Sequence, residues 1–207
     1  MRKLFLFFLL SQLLTLRAQD ASMVFRSESL IYCGLDFTQA RLIGDFGNGG
    51  GFAMRDKMFP EWNELILKES GKFNLAKTFR KSTVDYDLGP VMAQNAKTNE
   101  GRIRVQEESP ISPEKIAEMI RAYPPGEKNS GPAVTFIVES FNKNTETAVV
   151  HICFFDVSTK KLLFTEALHG EPKGVGLRNY WANAINDILI RIRETYYRKW
   201  EKKYAGS

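Results

Sequence analysis

Histidine and cysteine are scarce in this 207-residue chain, which has two of each. A zinc site gathers three or four ligands in one place. A thiol or hydroxyl nucleophile needs a His held by a third group. His151 and His169 complete neither arrangement, so no catalytic residue and no metal ligand is assigned. His151 alternates with Val149, Cys153 and Phe155, which puts all four on one face of a strand, the ordinary setting of a partly buried His. No Asn-x-Ser/Thr sequon occurs, which favours a bacterial over a eukaryotic secretory origin. Internal repeats, low-complexity linkers and apolar runs of the roughly 20 residues that span a bilayer are absent too. One domain is the economical reading.

The N-terminus has the parts of an export signal. Arg2 and Lys3 precede an unbroken Leu/Phe run from Leu4 to Leu10, extended by Leu13, Leu14 and Leu16. Residues 1–19 are therefore read as a secretory signal peptide, with cleavage favoured after Ala18, and residues 20–207 as a single globular α/β domain. The first Cys is Cys33, far from that segment, so a bacterial lipid anchor is not expected. The protein is expected to be exported, to the periplasm or beyond, without a lipid anchor.

Removing the leader changes the charge. Residues 1–19 hold three basic residues and no acid, so the formal charge falls from +5 to +2. Nucleic-acid binding loses its electrostatic basis. The remaining basicity is local: Arg191, Arg193, Arg198, Lys199, Lys202 and Lys203 stand against Glu194 and Glu201.

Along the chain, Ser29 to Phe37 reads as a buried strand that Ala40 to Ile43 extends past a bend. Gly47 to Gly51 is a loop. A helix begins at Pro60 and ends at Gly71, with Met58, Trp62, Leu65 and Ile66 on one face. Phe73 to Phe79 forms a helical turn, and Val84 to Arg102 mixes short strands with helix or loop. Ser112 caps a helix with Pro113 at its first position and an Ile111–Ile116 staple. Val134–Phe141, Thr147–Val157 and Lys161–Leu168 are three strands joined by short turns, hence an antiparallel meander. A long helix from about Leu177 to Trp200 follows, its stripe running through Trp181, Ile185, Ile188, Ile192 and Tyr196. The expected fold is α/β (α+β): a mostly antiparallel sheet packed by helices.

Few motifs invite chemistry. Asp45-Phe46-Gly47 copies a kinase triplet without any of its companions. Gly174-x-Gly176 precedes a helix, but no parallel β-α-β unit follows, so no nucleotide or other cofactor is implied. With Arg178 and Asn179, Gly174 and Gly176 make a candidate binding loop. Arg191, Arg198, Lys199, Lys202 and Lys203 are candidate surface contacts, and the interleaved Tyr196, Tyr197, Trp200 and Tyr204 suit an anionic membrane interface. Asp36 and Asp156 are carboxylates in apolar surroundings, Asp156 being placed to cap a turn at Ser158-Thr159. Cys33 and Cys153 sit in strand-like runs, paired or free.

Phe154 to Leu163, Gly174 to Ala182, Tyr32 to Phe37 with Ala40 to Gly44, and Glu61 to Leu65 together resemble a family of uncharacterised exported bacterial (Bacteroides-type) proteins. The element order is more remotely similar to the TolB N-terminal domain and the curli-secretion lipoprotein domain. That resemblance implies an envelope compartment and an envelope protein or surface component as partner, and implies no activity. N-terminal sequencing of the protein from its host is expected to start at Gln19 or Asp20. A chain that retains Met1 would refute the export reading.

Overall fold

Ser29–Asp36 is buried at every position after the first. Continuous burial, without alternation, marks a strand covered on both faces. A computed structural model describes residues 21–47 and 54–205 and shows why. The expected leader over 1–19, and most of the Gly47–Gly51 loop, lie outside the described residues.

Seven strands form one sheet. They are β1 (Ser29–Asp36), β2 (Arg41–Ile43), β3 (Thr83–Tyr86), β4 (Arg104–Val105), β5 (Pro132–Asn142), β6 (Thr147–Asp156) and β7 (Lys161–Gly170). β5 is central and pairs antiparallel with β6 along its whole length, and β6 pairs antiparallel with β7. β1 and β2 lie end to end along the other edge of β5, both parallel to it. β3 lies parallel outside β1, and β4 parallel outside β2. The sheet thus has five rows, and its two N-terminal rows are each made of two pieces.

The expected C-terminal meander is present. The expectation of a mostly antiparallel sheet holds for that meander and not for the N-terminal rows, whose four ladders are parallel. Antiparallel neighbours announce themselves through short turns, whereas parallel partners are joined by long helical crossovers. The sequence between such partners gives no sign of which strand will be the neighbour.

Helices cover both faces. On one lie α1 (Phe59–Lys68), α2 (Leu75–Phe79) and α5, which runs from Leu177 to Tyr204. On the other lie α3 (Gly89–Asn95) and α4 (Pro113–Arg121) over a smaller core of Ile31, Ala133, Ile137, Phe155 and their neighbours. Ser112 caps α4 as expected, its Oγ accepting from the Lys115 N–H.

α5 is held by aromatic clusters near both ends. Trp181 stacks on Phe141 at 4.5 Å, and Phe154, Phe164 and Trp200 pack together at the far end. Such pairs add ~0.5–1.5 kcal/mol each beyond the burial of their area. Between the clusters the helix widens by one residue, the Tyr197 N–H donating to the Ile192 carbonyl. An extra residue in one turn moves the stripe. Tyr197 therefore takes the buried position expected of Tyr196, and Trp200 follows it into the core. Gly170 of β7 allows this helix to sit close, since a Cβ there would lie 2.3 Å from the Ala184 carbonyl oxygen.

The N-terminal row is interrupted at the end of β1. The β3 ladder stops at Tyr32–Tyr86, and the chain kinks through Gly34 (φ 109°), leaving the outer backbone groups of Leu35 and Phe37 without a strand. Two buried asparagines take its place. Asn63 of α1 accepts from the Leu35 N–H (2.7 Å) and donates to its carbonyl (3.0 Å). Asn95 of α3 donates to the same carbonyl (2.8 Å) and accepts from the Phe37 N–H (2.7 Å). The two side chains come from helices on opposite faces of the sheet. A Cβ on Gly34 would stand 2.6 Å from the Asn63 oxygen, so glycine is required for space as well as for φ.

Asn63→Ala and Asn95→Ala each leave one buried N–H unpaired, and each is expected to lower stability by about 1–3 kcal/mol in urea unfolding. The double variant removes both partners of the Leu35 carbonyl, so its loss is expected to exceed the sum of the two. Strict additivity would show that the shared carbonyl does not couple them.

Candidate functional site

The polar groups with chemical potential lie on the smaller-core face, and each has an internal partner. Asp36, at the end of β1, is fully buried. Its Oδ2 accepts from the Tyr123 hydroxyl at 2.7 Å, and its Oδ1 accepts from the Thr38 N–H and hydroxyl. Burial pushes its carboxyl above the usual range, and the hydrogen bonds from Thr38 and Tyr123 offset this only in part. His151 Nε2 is 2.7 Å from Glu139 Oε2, which also accepts from the Ile111 N–H. Burial raises the Glu139 carboxyl, but those bonds outweigh it and hold the group below its ordinary value.

Cys153 shares its face of β6 with His151, as the alternation predicts, yet the thiol is directed to Thr165 Oγ1 at 3.2 Å and to its own strand. Burial pushes both Cys153 and Cys33 up to about 12, so each stays a thiol at neutral pH and is a poor nucleophile. Both cysteines are free. β5 runs between their strands, which places them roughly 10 Å apart, two strand spacings, beyond the reach of a disulfide. His169 lies opposite Val149 and is exposed. Asp156 caps its turn as expected, accepting from the N–H and hydroxyl of Thr159.

The loop at Gly174–Asn179 turns through two positive φ angles, 102° at Gly174 and 82° at Gly176, and Val175 is 91% exposed. Arg178 is fixed through its carbonyl, which accepts from Trp62 Nε1 at 2.9 Å, while its side chain reaches only Asn179 at 3.4 Å. Gly174, Gly176, Arg178 and Asn179 thus follow one another along a single turn. The basic residues of α5 do not act as one group. Arg191 is paired with Asp187 and Glu171, Lys203 with Glu166, and Lys199 lies over the Tyr196 ring. Arg198 and Lys202 are exposed. Tyr197 and Trp200, expected to interleave with these cations at a surface, are buried beneath them.

A built concavity occurs elsewhere, at the junction of β1 and β2. It is a cleft of about 280 Å³ whose walls are the turn from Thr38 to Arg41 and the segment from Lys97 to Ile103. Gln94, at the end of α3, completes it. The turn exists because the asparagine clamp ends β1 and β5 then recaptures the chain as β2. The opposite wall is fixed by Asn99, which accepts from the Gly101 N–H, and by the Leu42 N–H donating to the Ile103 carbonyl at 2.7 Å. Arg41, Lys97 and Arg102 line the cleft, and none forms an ion pair with a described residue. Sequence reasoning missed this site because its walls come from the bend after β1 and from the stretch between Val84 and Arg102, where no period stands out. The one available signal was three cations flanking short strands. No family model, curated protein or solved structure matches the chain.

The Asp36 carboxyl titrates higher in the fold than in the unfolded chain, so its contribution to stability is full below pH ~3.8 and is lost as pH rises through the folded value. Asp36→Asn keeps acceptors for Thr38 and a partner for Tyr123 without the charge. Its stability relative to the parent is expected to improve as pH is raised from 4 to 7 in denaturant titrations. A variant that loses stability relative to the parent as pH rises would mean that the fold favours the carboxylate.

Proposed function

We propose that the chain is an exported, non-catalytic binding domain of the bacterial cell envelope, and that the cleft at the β1–β2 junction is its recognition site. One observation carries this reading. The groups able to act as nucleophile, acid or base on the sheet face (Asp36, Glu139, His151 and Cys153) are held in internal bonds, while the cleft offers cations, amides and hydroxyls. Proton transfer requires a titrating group within reach of the reacting atom. Among the described residues, the cleft lining contains no carboxylate, His or Cys.

The export half of the proposal rests on the leader. The likeness to exported bacterial proteins rests on the sequence stretches that carry it, and the more remote one to the TolB N-terminal and curli-secretion lipoprotein domains on the element order read from the sequence. An envelope protein or surface component fits as partner. Contact with an anionic membrane through α5 is the weaker reading, because two of the four aromatic residues interleaved with its C-terminal cations, Tyr197 and Trp200, are buried in the core.

The purified protein is expected to give no turnover above buffer across hydrolase, transferase and oxidoreductase substrates, and cell fractionation is expected to recover it with the envelope. Turnover that disappears in Cys153→Ser or Asp36→Asn would overturn the non-catalytic reading.

A further inference from the structure

Three cations from three separate pieces of chain face one small volume. Arg41 opens β2, Lys97 follows α3, and Arg102 closes the short helical turn at Glu100–Arg102. Like charges gathered around a cleft repel one another, and an anion placed among them removes that repulsion and gains attraction from each. The acid nearest to Lys97 and Arg102 in sequence, Glu100, is engaged by Arg55.

A second observation points the same way. Thr98 stands on the cleft wall, is only 6% exposed, and its hydroxyl has no hydrogen-bond partner among the described residues. Most buried hydroxyls are satisfied, and one that is not lowers the stability of the fold. A ligand oxygen would supply the missing partner. Thr38, Gln39 and Asn99 add neutral polar side chains around the same opening.

We propose that this cleft binds a phosphate-bearing ligand, its dianionic head held by Arg41, Lys97 and Arg102 and hydrogen-bonded by Thr98. The inference rests on the binding reading above and names the ligand class. A carboxylate carries one charge and would leave two of the three cations uncompensated. A phosphate carries up to two charges and spreads its acceptor oxygens in several directions, which matches donors arriving from different segments, and guanidinium forks suit it. The volume lies at the small end of ligand sites. It fits a phosphate head with a short substituent, whether that head belongs to a soluble ester or to a lipid.

The test is titration calorimetry and thermal unfolding of the purified protein with inorganic phosphate and glycerol phosphate, against acetate and chloride at matched ionic strength. Binding of both phosphates, with a rise in Tm that acetate does not produce, is expected. Arg41→Gln and Arg102→Gln should each weaken it at least tenfold. If either fails to fold, Lys97→Gln, at an exposed position, serves in its place. Thr98→Val separates a ligand role from a structural one: without phosphate it should raise Tm, because the orphan hydroxyl is gone, and with phosphate it should weaken binding. Phosphate affinity unchanged in the Arg variants, or a Tm rise equal to that with chloride, overturns the proposal. Phosphatidylcholine vesicles with and without phosphatidic acid then identify the source. Binding that needs phosphatidic acid and is lost in the same variants assigns a lipid head, and binding of glycerol phosphate alone assigns a soluble ester. Turnover of glycerol phosphate would sink the non-catalytic reading and leave phosphate recognition standing. A lack of phosphate binding would do the reverse.

Discussion

The architecture depends on how the end of β1 is satisfied. A strand that outruns its neighbour leaves backbone donors and acceptors facing an apolar interior, and each unpaired group is destabilising. Here two amide side chains, one from each helical layer, replace the absent strand over Leu35 and Phe37. The amide of Asn or Gln is the one uncharged side-chain group that offers both a donor and an acceptor in the manner of a peptide unit. Because Asn63 and Asn95 meet on the same carbonyl, they also tie α1 to α3 through the sheet. α3, which covers the smaller core, is thereby held to Leu35 and Phe37 of the larger one.

That substitution creates the cleft. If β3 continued alongside β1, its backbone would occupy the space next to the bend. Instead the outer row resumes only at β4, and the interval between is walled by the bend after Phe37 and the residues after α3. The polar groups on the sheet face are arranged differently. Asp36, Thr135, Glu139 and His151 lie on a ladder face, Tyr123 packs onto it from the chain after α4, and burial makes pairing obligatory. Cations unpaired among the described residues thus line an open hollow, while the polar groups of the closed face are paired.

Much of this was legible in the sequence where the signal is local. The Ser112–Pro113 start of α4, the turns of the meander and the stripe of α5 from Trp181 to Ile192 depend on residues within a few positions of each other, and these appear as read. The parallel rows were not legible, since β1 finds β5 only after about 100 intervening residues and no pattern in either strand specifies the other. The shift from Tyr196 to Tyr197 was hidden for another reason. A regular period is assumed when a stripe is extended, and the inserted residue breaks that period without any Gly or Pro to mark it. Asn63 sat in plain view between Trp62 and Leu65 on the buried face of α1, a polar residue in an apolar stripe. Its position was the visible half of the clamp, and its partner on α3 lay in the segment that resisted interpretation.

A sheet whose outer rows are laid down in separate pieces has a freedom that a continuous one lacks. β2 takes its alignment from β5, so residues gained or lost in the bend after Phe37 would not slide its side chains from one face to the other. The linkage between α3 and β4 enjoys the same independence, being anchored by Asn99 and by the Leu42–Ile103 bond beyond it. Lineages of this fold can therefore reshape the rim of the hollow by insertion, deletion or exchange while the two cores stay untouched, and selection for a new ligand would find its raw material there.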